Sequence, residues 1–278
     1  RLYPPGAHRI PRLGRLGAAP APSAPMITFT STQLDLWVGQ WLWPFCRVMA
    51  LFSVAPLLNH RGIPARIKIG MSLLIAAIVA PTLTAPAVSL SAPEALAVLA
   101  QQMLLGLSIG FSMRLVFAAV ELAGDLIGLQ MGLSFASFID PHSSSQTPLI
   151  GSLLAVMASL LFLSMNGHLM MISALTESFK TFPIGALGGA SPMPVDGARL
   201  ALWTGELFRI GLHLSLPVLV TMLILNLALG VLVRSAPQLN LFAVGFPVTL
   251  LTGLLVMLLS LPYLAPFLQK ALENATRF

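Results

Sequence analysis

Six stretches of this chain are long and apolar enough to cross a lipid bilayer, and that excludes most other ways of folding it. They run approximately from Leu34 to Leu58, Ile67 to Leu83, Ala95 to Phe138, Leu149 to Leu175, Ala198 to Val233 and Val248 to Leu272. A hydrocarbon layer roughly 30 Å thick needs about 20 apolar residues of helix to span it. Between the stretches lie "NHRGIPAR", "TAPAVSLSAPE", "DPHSSSQTP", "FKTFPIGALGGASPMPVDG" and "RSAPQLNLFAVGFP", where Pro and Gly halt a helix. Only 9% of residues are charged, against about 25% in soluble domains. There are too few charges to solvate a sphere of this size. The apolar surface must face lipid, other subunits, or both. The expected fold is an all-α membrane protein of long, kinked hydrophobic helices and helical hairpins.

Two stretches are too long for one simple span. Ala95 to Phe138 would be about 66 Å as one helix at about 1.5 Å per residue. It must break into a hairpin or project beyond the bilayer. Ala198 to Val233 poses the same problem, with Pro217 as the expected kink. Loop charges, which normally set orientation, do not do so here. Arg61, Arg66, Lys68 and Arg234 fall on one side, and Lys180, Arg199, Lys270 and Arg277 on the other. A tie of this kind implies that some helices do not cross in the ordinary way.

The net charge of +6 rests largely on Arg1, Arg9, Arg12 and Arg15. These lie in a Pro- and Ala-rich stretch, residues 1–25, that has no acid and no continuous apolar core for a signal peptide. The expectation is a disordered extension, with Met26 the natural start. Without those arginines a nucleic-acid partner has little support. Cys46, the single cysteine, can form neither an internal disulfide nor a CxxC metal site, and a buried thiol is its expected role.

Charges inside the apolar stretches carry more information. Arg114, Glu121 and Asp125 are spaced to share one helix face. Each costs about 2.5–3.5 kcal/mol at the centre of an inserting helix, so this face should not meet lipid. It is either a polar clamp between helices or subunits, or an ion or proton path. Glu206, Arg209 and His213 form a second cluster, read as an ion pair that anchors helix packing. His168 in "MNGHLMM" is a helix-end residue on this reading. Gly106 and Gly110 form GxxxG, and Gly124, Gly128 and Gly132 continue the spacing. Small residues at every fourth position let another backbone approach closely, within this chain or on another subunit.

The segment "QMGLSFASFIDPHSSSQTP" passes from Gly-rich helix through Phe135 and Phe138 to Asp140-Pro141 and a small polar run. It is either an ordinary turn or a mobile loop whose aromatics close an aqueous path by excluding water. No HExxH, GxSxG, His/Cys cluster or GxxxxGK[ST] occurs, so neither catalysis nor nucleotide hydrolysis is expected, and no cofactor or metal.

Four long segments resemble a known family. They are "IPARIKIG" (Ile63 to Gly70), "GDLIGLQMGLSFASFIDP" (Gly124 to Pro141), "NGHLMMISALTESFKTFPIG" (Asn166 to Gly185) and "RSAPQLNLFAVGFP" (Arg234 to Pro247). They are similar to the FliR family of export-gate subunits of flagellar type III secretion, over about 250 residues. The resemblance implies a structural subunit that joins FliP and FliQ in a helical export gate, with FlhB and FlhA as further partners. Unfolded flagellar subunits would be the cargo. It implies a FliP-like part over residues 26–197 and a FliQ-like hairpin over 198–278. It implies a location in the bacterial inner membrane at the flagellar basal body, with much of the gate on the periplasmic side. Met131, Phe135 and Phe138 would supply apolar closure, and Asp140, Pro141, Ser143, Ser144 and Ser145 a mobile cover. The alternatives are a virulence-type secretion homologue and a secondary transporter, though no convincing inverted repeat is found.

Overall fold

The structure is a computed structural model that describes residues 30–60, 62–83, 88–90, 92–133, 148–185, 197–236 and 241–276. All secondary structure among these residues is helical. We number the α-helices α1 (Ser31–Val54), α2 (Ala65–Val79), α3 (Ala95–Gln130), α4 (Leu149–Ser164), α5 (Gly167–Thr181), α6 (Gly197–Ser235), α7 (Leu241–Ser260) and α8 (Leu264–Ala275). Short 3₁₀ turns at Ala80–Thr82 and Leu261–Tyr263 extend α2 and join α7 to α8.

Helix α3 is the axis of the molecule. Its 36 residues run unbroken, about 54 Å at roughly 1.5 Å per residue. This overlong stretch forms no hairpin over Ala95–Gln130. The helix also stops earlier than the apolar run. Gly132 takes φ +79°, a left-handed conformation that suits glycine. The Leu133 N–H then donates to Gly128 O and the Gly132 N–H to Leu129 O. That pair of bonds is a Schellman stop. Gly132 therefore ends the helix and does not extend the small-residue stripe.

The stretch from Leu149 to Leu175 is likewise not one helix. Asn166 adopts φ +56° and separates α4 from α5, whose axes differ by 68°. An asparagine tolerates this conformation better than most residues. A Cβ on the next residue, Gly167, would lie 2.9 Å from Phe162 Cγ, so only glycine fits the bend as built. Asn166 O then accepts from the Leu169 and Met170 N–H groups and starts α5. The last apolar stretch begins earlier than expected, at Leu241, and is interrupted at Leu261–Tyr263. Helix α6 is continuous over 39 residues with Pro217 inside it.

Helices α1, α4, α6 and α8 pack around α3. Their shared core includes Leu51, Phe52, Met113, Val120, Phe162 and Leu268. The Phe117 and Phe162 rings meet edge to face at 5.6 Å between centroids, the favoured quadrupole geometry. The amphipathic α8 buries Leu264, Leu268, Leu272 and Ala275. Its end is tied down where Ser112 Oγ donates to Ala275 O at 3.1 Å. In contrast, α6 and α7 leave Leu223, Leu227, Leu251 and Leu258 exposed, each more than 60% accessible. Four described helical segments, or five if the bent α4–α5 pair counts as one, are long and apolar enough to cross a membrane. Such surfaces belong in lipid or against protein, not in water.

Candidate functional site

The segment proposed to close the gate begins where α3 stops. Met131 is fully buried, and a Cβ at Gly253 of α7 would come within 2.6 Å of its Cγ. The thioether thus fills the space that this glycine leaves, pinning the end of α3 to α7. Phe135, Phe138, Asp140, Pro141, Ser143, Ser144 and Ser145 lie outside the described residues. The two helices that bracket them are closely joined. A Cβ at Gly124 would be 2.8 Å from Gly151 N and 2.9 Å from Ile150 O, so α3 and the start of α4 touch backbone to backbone. Residues 134–147 thus connect two helices that are in backbone contact at Gly124–Gly151.

The other glycines of the α3 stripe also close on this chain. At Gly106 a Cβ would strike Arg47 O and come 3.0 Å from Leu51 N of α1. At Gly110 it would lie 2.8 Å from Leu51 O. Gly128 differs, because a Cβ there would meet Ile150 at an ordinary 3.6 Å. Of the two uses open to this spacing, the structure shows the internal one. On α6, Gly211 makes a similar approach, with a Cβ 2.7 Å from Ala119 O.

The structure also places one charged residue that the pattern of intramembrane charges did not single out. Arg47 of α1 is fully buried, and its partners among the described residues include no carboxylate. Its Nε donates to Gln102 Oε1 of α3 at 2.8 Å. One terminal nitrogen donates to Ser178 Oγ at 3.1 Å and the other to Phe182 O at 2.9 Å. The guanidinium carbon lies 4.0 Å from the Phe179 ring centroid, within cation–π range. Ser178, Phe179 and Phe182 form the last turn and cap of α5, where the helix dipole presents its negative end. Arg47 thus fastens the bent arm to α1 and α3. An arginine placed three residues after Pro44 inside an apolar helix is the sequence signal for such a role, but nothing local names its partners.

Arg114 and Glu121 are exposed on α3, and Asp125 is half-buried with its Oδ1 against Gly151 of α4 and without a hydrogen bond among the described residues. Arg114 and Glu121 share one face, as their spacing requires. Glu206 and Arg209 form the expected ion pair, with Arg209 Nε 3.0 Å from Glu206 Oε2, on the exposed side of α6. Cys46 is half-buried and not enclosed. His168 stands in the first turn of α5. Among the described residues no three His, Cys, Asp or Glu side chains gather as a metal site. An open groove of about 420 Å³ beside α1 is lined by Trp37, Trp41, Phe45 and Leu73, and is almost wholly apolar.

Residues 38–275 match the family described as Bacterial export proteins, family 1. The chain is 44% identical over 243 residues to the flagellar biosynthetic protein FliR of Escherichia coli K12, covering 87% of this chain and 92% of that protein. It is 46% identical over 244 residues to FliR of Pectobacterium carotovorum, with the same coverage. It is 34% identical over 215 residues to FliR of Bacillus subtilis, covering 77% and 83%. The match takes in the Schellman stop, the α4–α5 bend and the Arg47 tie, and holds from α1 to the end of α8. This chain belongs to the bacterial export proteins of family 1, as a FliR-family membrane component of the flagellar export apparatus.

Proposed function

We propose that this protein is a gate subunit of the flagellar type III export apparatus, forming with FliP and FliQ the channel for unfolded flagellar subunits. FlhB and FlhA would be its neighbours in the inner membrane. Segment 134–147 would be the closure. The observation that carries this reading is the packing of the two helices that flank the segment: α3 and α4 touch backbone to backbone at Gly124–Gly151, and the end of α3 is pinned to α7 through Met131. A segment between two fixed helices can change position without disturbing the bundle. Phe135 and Phe138 would exclude water and hydrated ions at rest, and a passing polypeptide would displace the rings. The pair α6 and α7, packed together and joined by a short connection, supports a FliQ-like hairpin over residues 198–278. Residues 26–197 would be the FliP-like part. The overlong α3 and α6 suit a gate that stands largely on the periplasmic side, where long helices need not match the hydrocarbon thickness.

The test is the leak of the assembled gate. Phe138→Ala, or deletion of residues Ser143 to Ser145, should raise inner-membrane conductance and small-solute uptake in cells while export partly persists. If both variants assemble and stay as tight as the parent, segment 134–147 is a connector and the closure role is wrong.

A further inference from the structure

Helix α3 is covered on most of its circumference but not all. Its buried positions include Gly106, Gly110, Met113, Phe117, Val120, Gly124 and Ile127, which face α1, α4, α6 and α8. One stripe stays open: Leu104, Phe111, Arg114, Ala118 and Glu121 are exposed. The steps of three, four and seven residues make this a single face. Of the three charged side chains within the 36 residues of α3, Arg114 and Glu121 lie on it, while Asp125 turns its Oδ1 against Gly151 of α4.

On the side of α4 the surroundings of that stripe are apolar. The C-terminal half of α3 packs against α4, from the Phe117–Phe162 contact to the Gly124–Gly151 contact. Over that length α4 carries no charge and exposes Leu153, Val156 and Leu160. Water suits the charges and not these side chains, while lipid suits the side chains and not the charges. A protein surface suits both. The charges do not satisfy each other. Arg114 and Glu121 are about 10 Å apart along the axis, at roughly 1.5 Å per residue. Asp125 is not part of this open set, because its Oδ1 is enclosed against Gly151 of α4, where a Cβ would strike it. The contrast with α6 is direct, since Glu206 and Arg209 there pair on their own helix.

We propose that this stripe is the seat of one helix from a different subunit, carrying a carboxylate opposite Arg114 and an Arg or Lys opposite Glu121. This rests on the reading that the chain assembles with other export-gate subunits. A second copy in the same membrane orientation would set Arg114 against Arg114 and Glu121 against Glu121, so it is not the occupant. Ala118, between the two charges, leaves room for close approach of the partner backbone.

The experiment begins with the unaltered chain recovered in detergent with its partner subunits. If it brings none down, the assembly reading fails before the stripe is touched. With the complex in hand, Phe111, which is exposed, is replaced by p-benzoylphenylalanine, which keeps its aromatic ring and adds a photoreactive benzoyl group, and the complex is irradiated in the membrane. The expected result is a cross-link to a helix of another subunit in which an acidic and a basic residue stand about two turns apart. Cross-links only to lipid, to a second copy or within this chain would overturn the proposal while leaving assembly intact. Charge variants supply an independent readout. Glu121→Lys should lower partner recovery at least tenfold at equal amounts of membrane-inserted chain. The double change Arg114→Glu with Glu121→Arg should not restore it, because the pairing is with the partner. Full recovery in that double variant, or in Glu121→Lys alone, would overturn the assignment.

Discussion

Arg47 shows how one charge can be buried in an apolar bundle by neutral partners. Its donors meet a side-chain amide, a hydroxyl and a helix-end carbonyl, and the Phe179 face covers its plane. Each hydrogen bond to a charged group contributes about 1.5–3 kcal/mol, and orphaning the acceptors adds to the loss. Arg47→Ala should therefore destabilise the protein by about 3–5 kcal/mol, read as a lower midpoint of thermal unfolding in detergent and faster proteolysis near Phe182. Arg47→Lys keeps the charge but not the planar fork, so it should fall between the two. Equal stability of all three proteins would show that the tie contributes nothing.

At the scale of elements, close approach decides which glycines matter. Gly106 and Gly124 leave no room for a methyl group against α1 and α4, whereas Gly128 does. Gly124→Ala should lower the unfolding midpoint and reduce the amount of folded protein in the membrane. Gly128→Ala should be neutral, or stabilising by up to about 1 kcal/mol through helix propensity. A reversed order would mean that the α3–α4 junction is looser than this structure has it. The break between α4 and α5 is governed the same way. Gly167→Val would drive a branched side chain into Phe162, so it should straighten or unfold the bend and release Arg47 from the α5 cap. Asn166→Gly should be tolerated, because glycine adopts the same left-handed conformation. The check is the spacing of spin labels on α4 and α5, which should change in the first variant only.

Across the whole molecule, the core is concentrated around α3, and the long faces of α6 and α7 remain open. That distribution suits a component of a larger assembly in a membrane more than a self-contained bundle. Residues 1–25 are rich in Pro and Ala and lack a continuous apolar run, and the family match begins at residue 38. Deleting Arg1 to Pro25 should leave swimming motility and recovery of the complex unchanged at equal expression. Loss of either would assign that stretch a role that its composition does not predict.

The sequence by itself determined the helical membrane character, because runs such as Ala198 to Val233 are too apolar and too long for anything else. It also determined the family, through ordered segments such as "GDLIGLQMGLSFASFIDP". The Glu206–Arg209 pair was legible because two residues three apart on a helix must be neighbours. The stop at Gly132 and the bend at Asn166-Gly167 were written in residues with known backbone preferences, yet hydrophobicity alone ran both apolar stretches past them. What tertiary structure decided were relations between distant residues: Arg47 with Phe182, Gly124 with Gly151, Met131 with Gly253. Periodicity places a residue on a face of its own helix, but which helix covers that face depends on how all of them pack. For that reason the glycine stripe was visible in the sequence, and its closure on α1 and α4 was not.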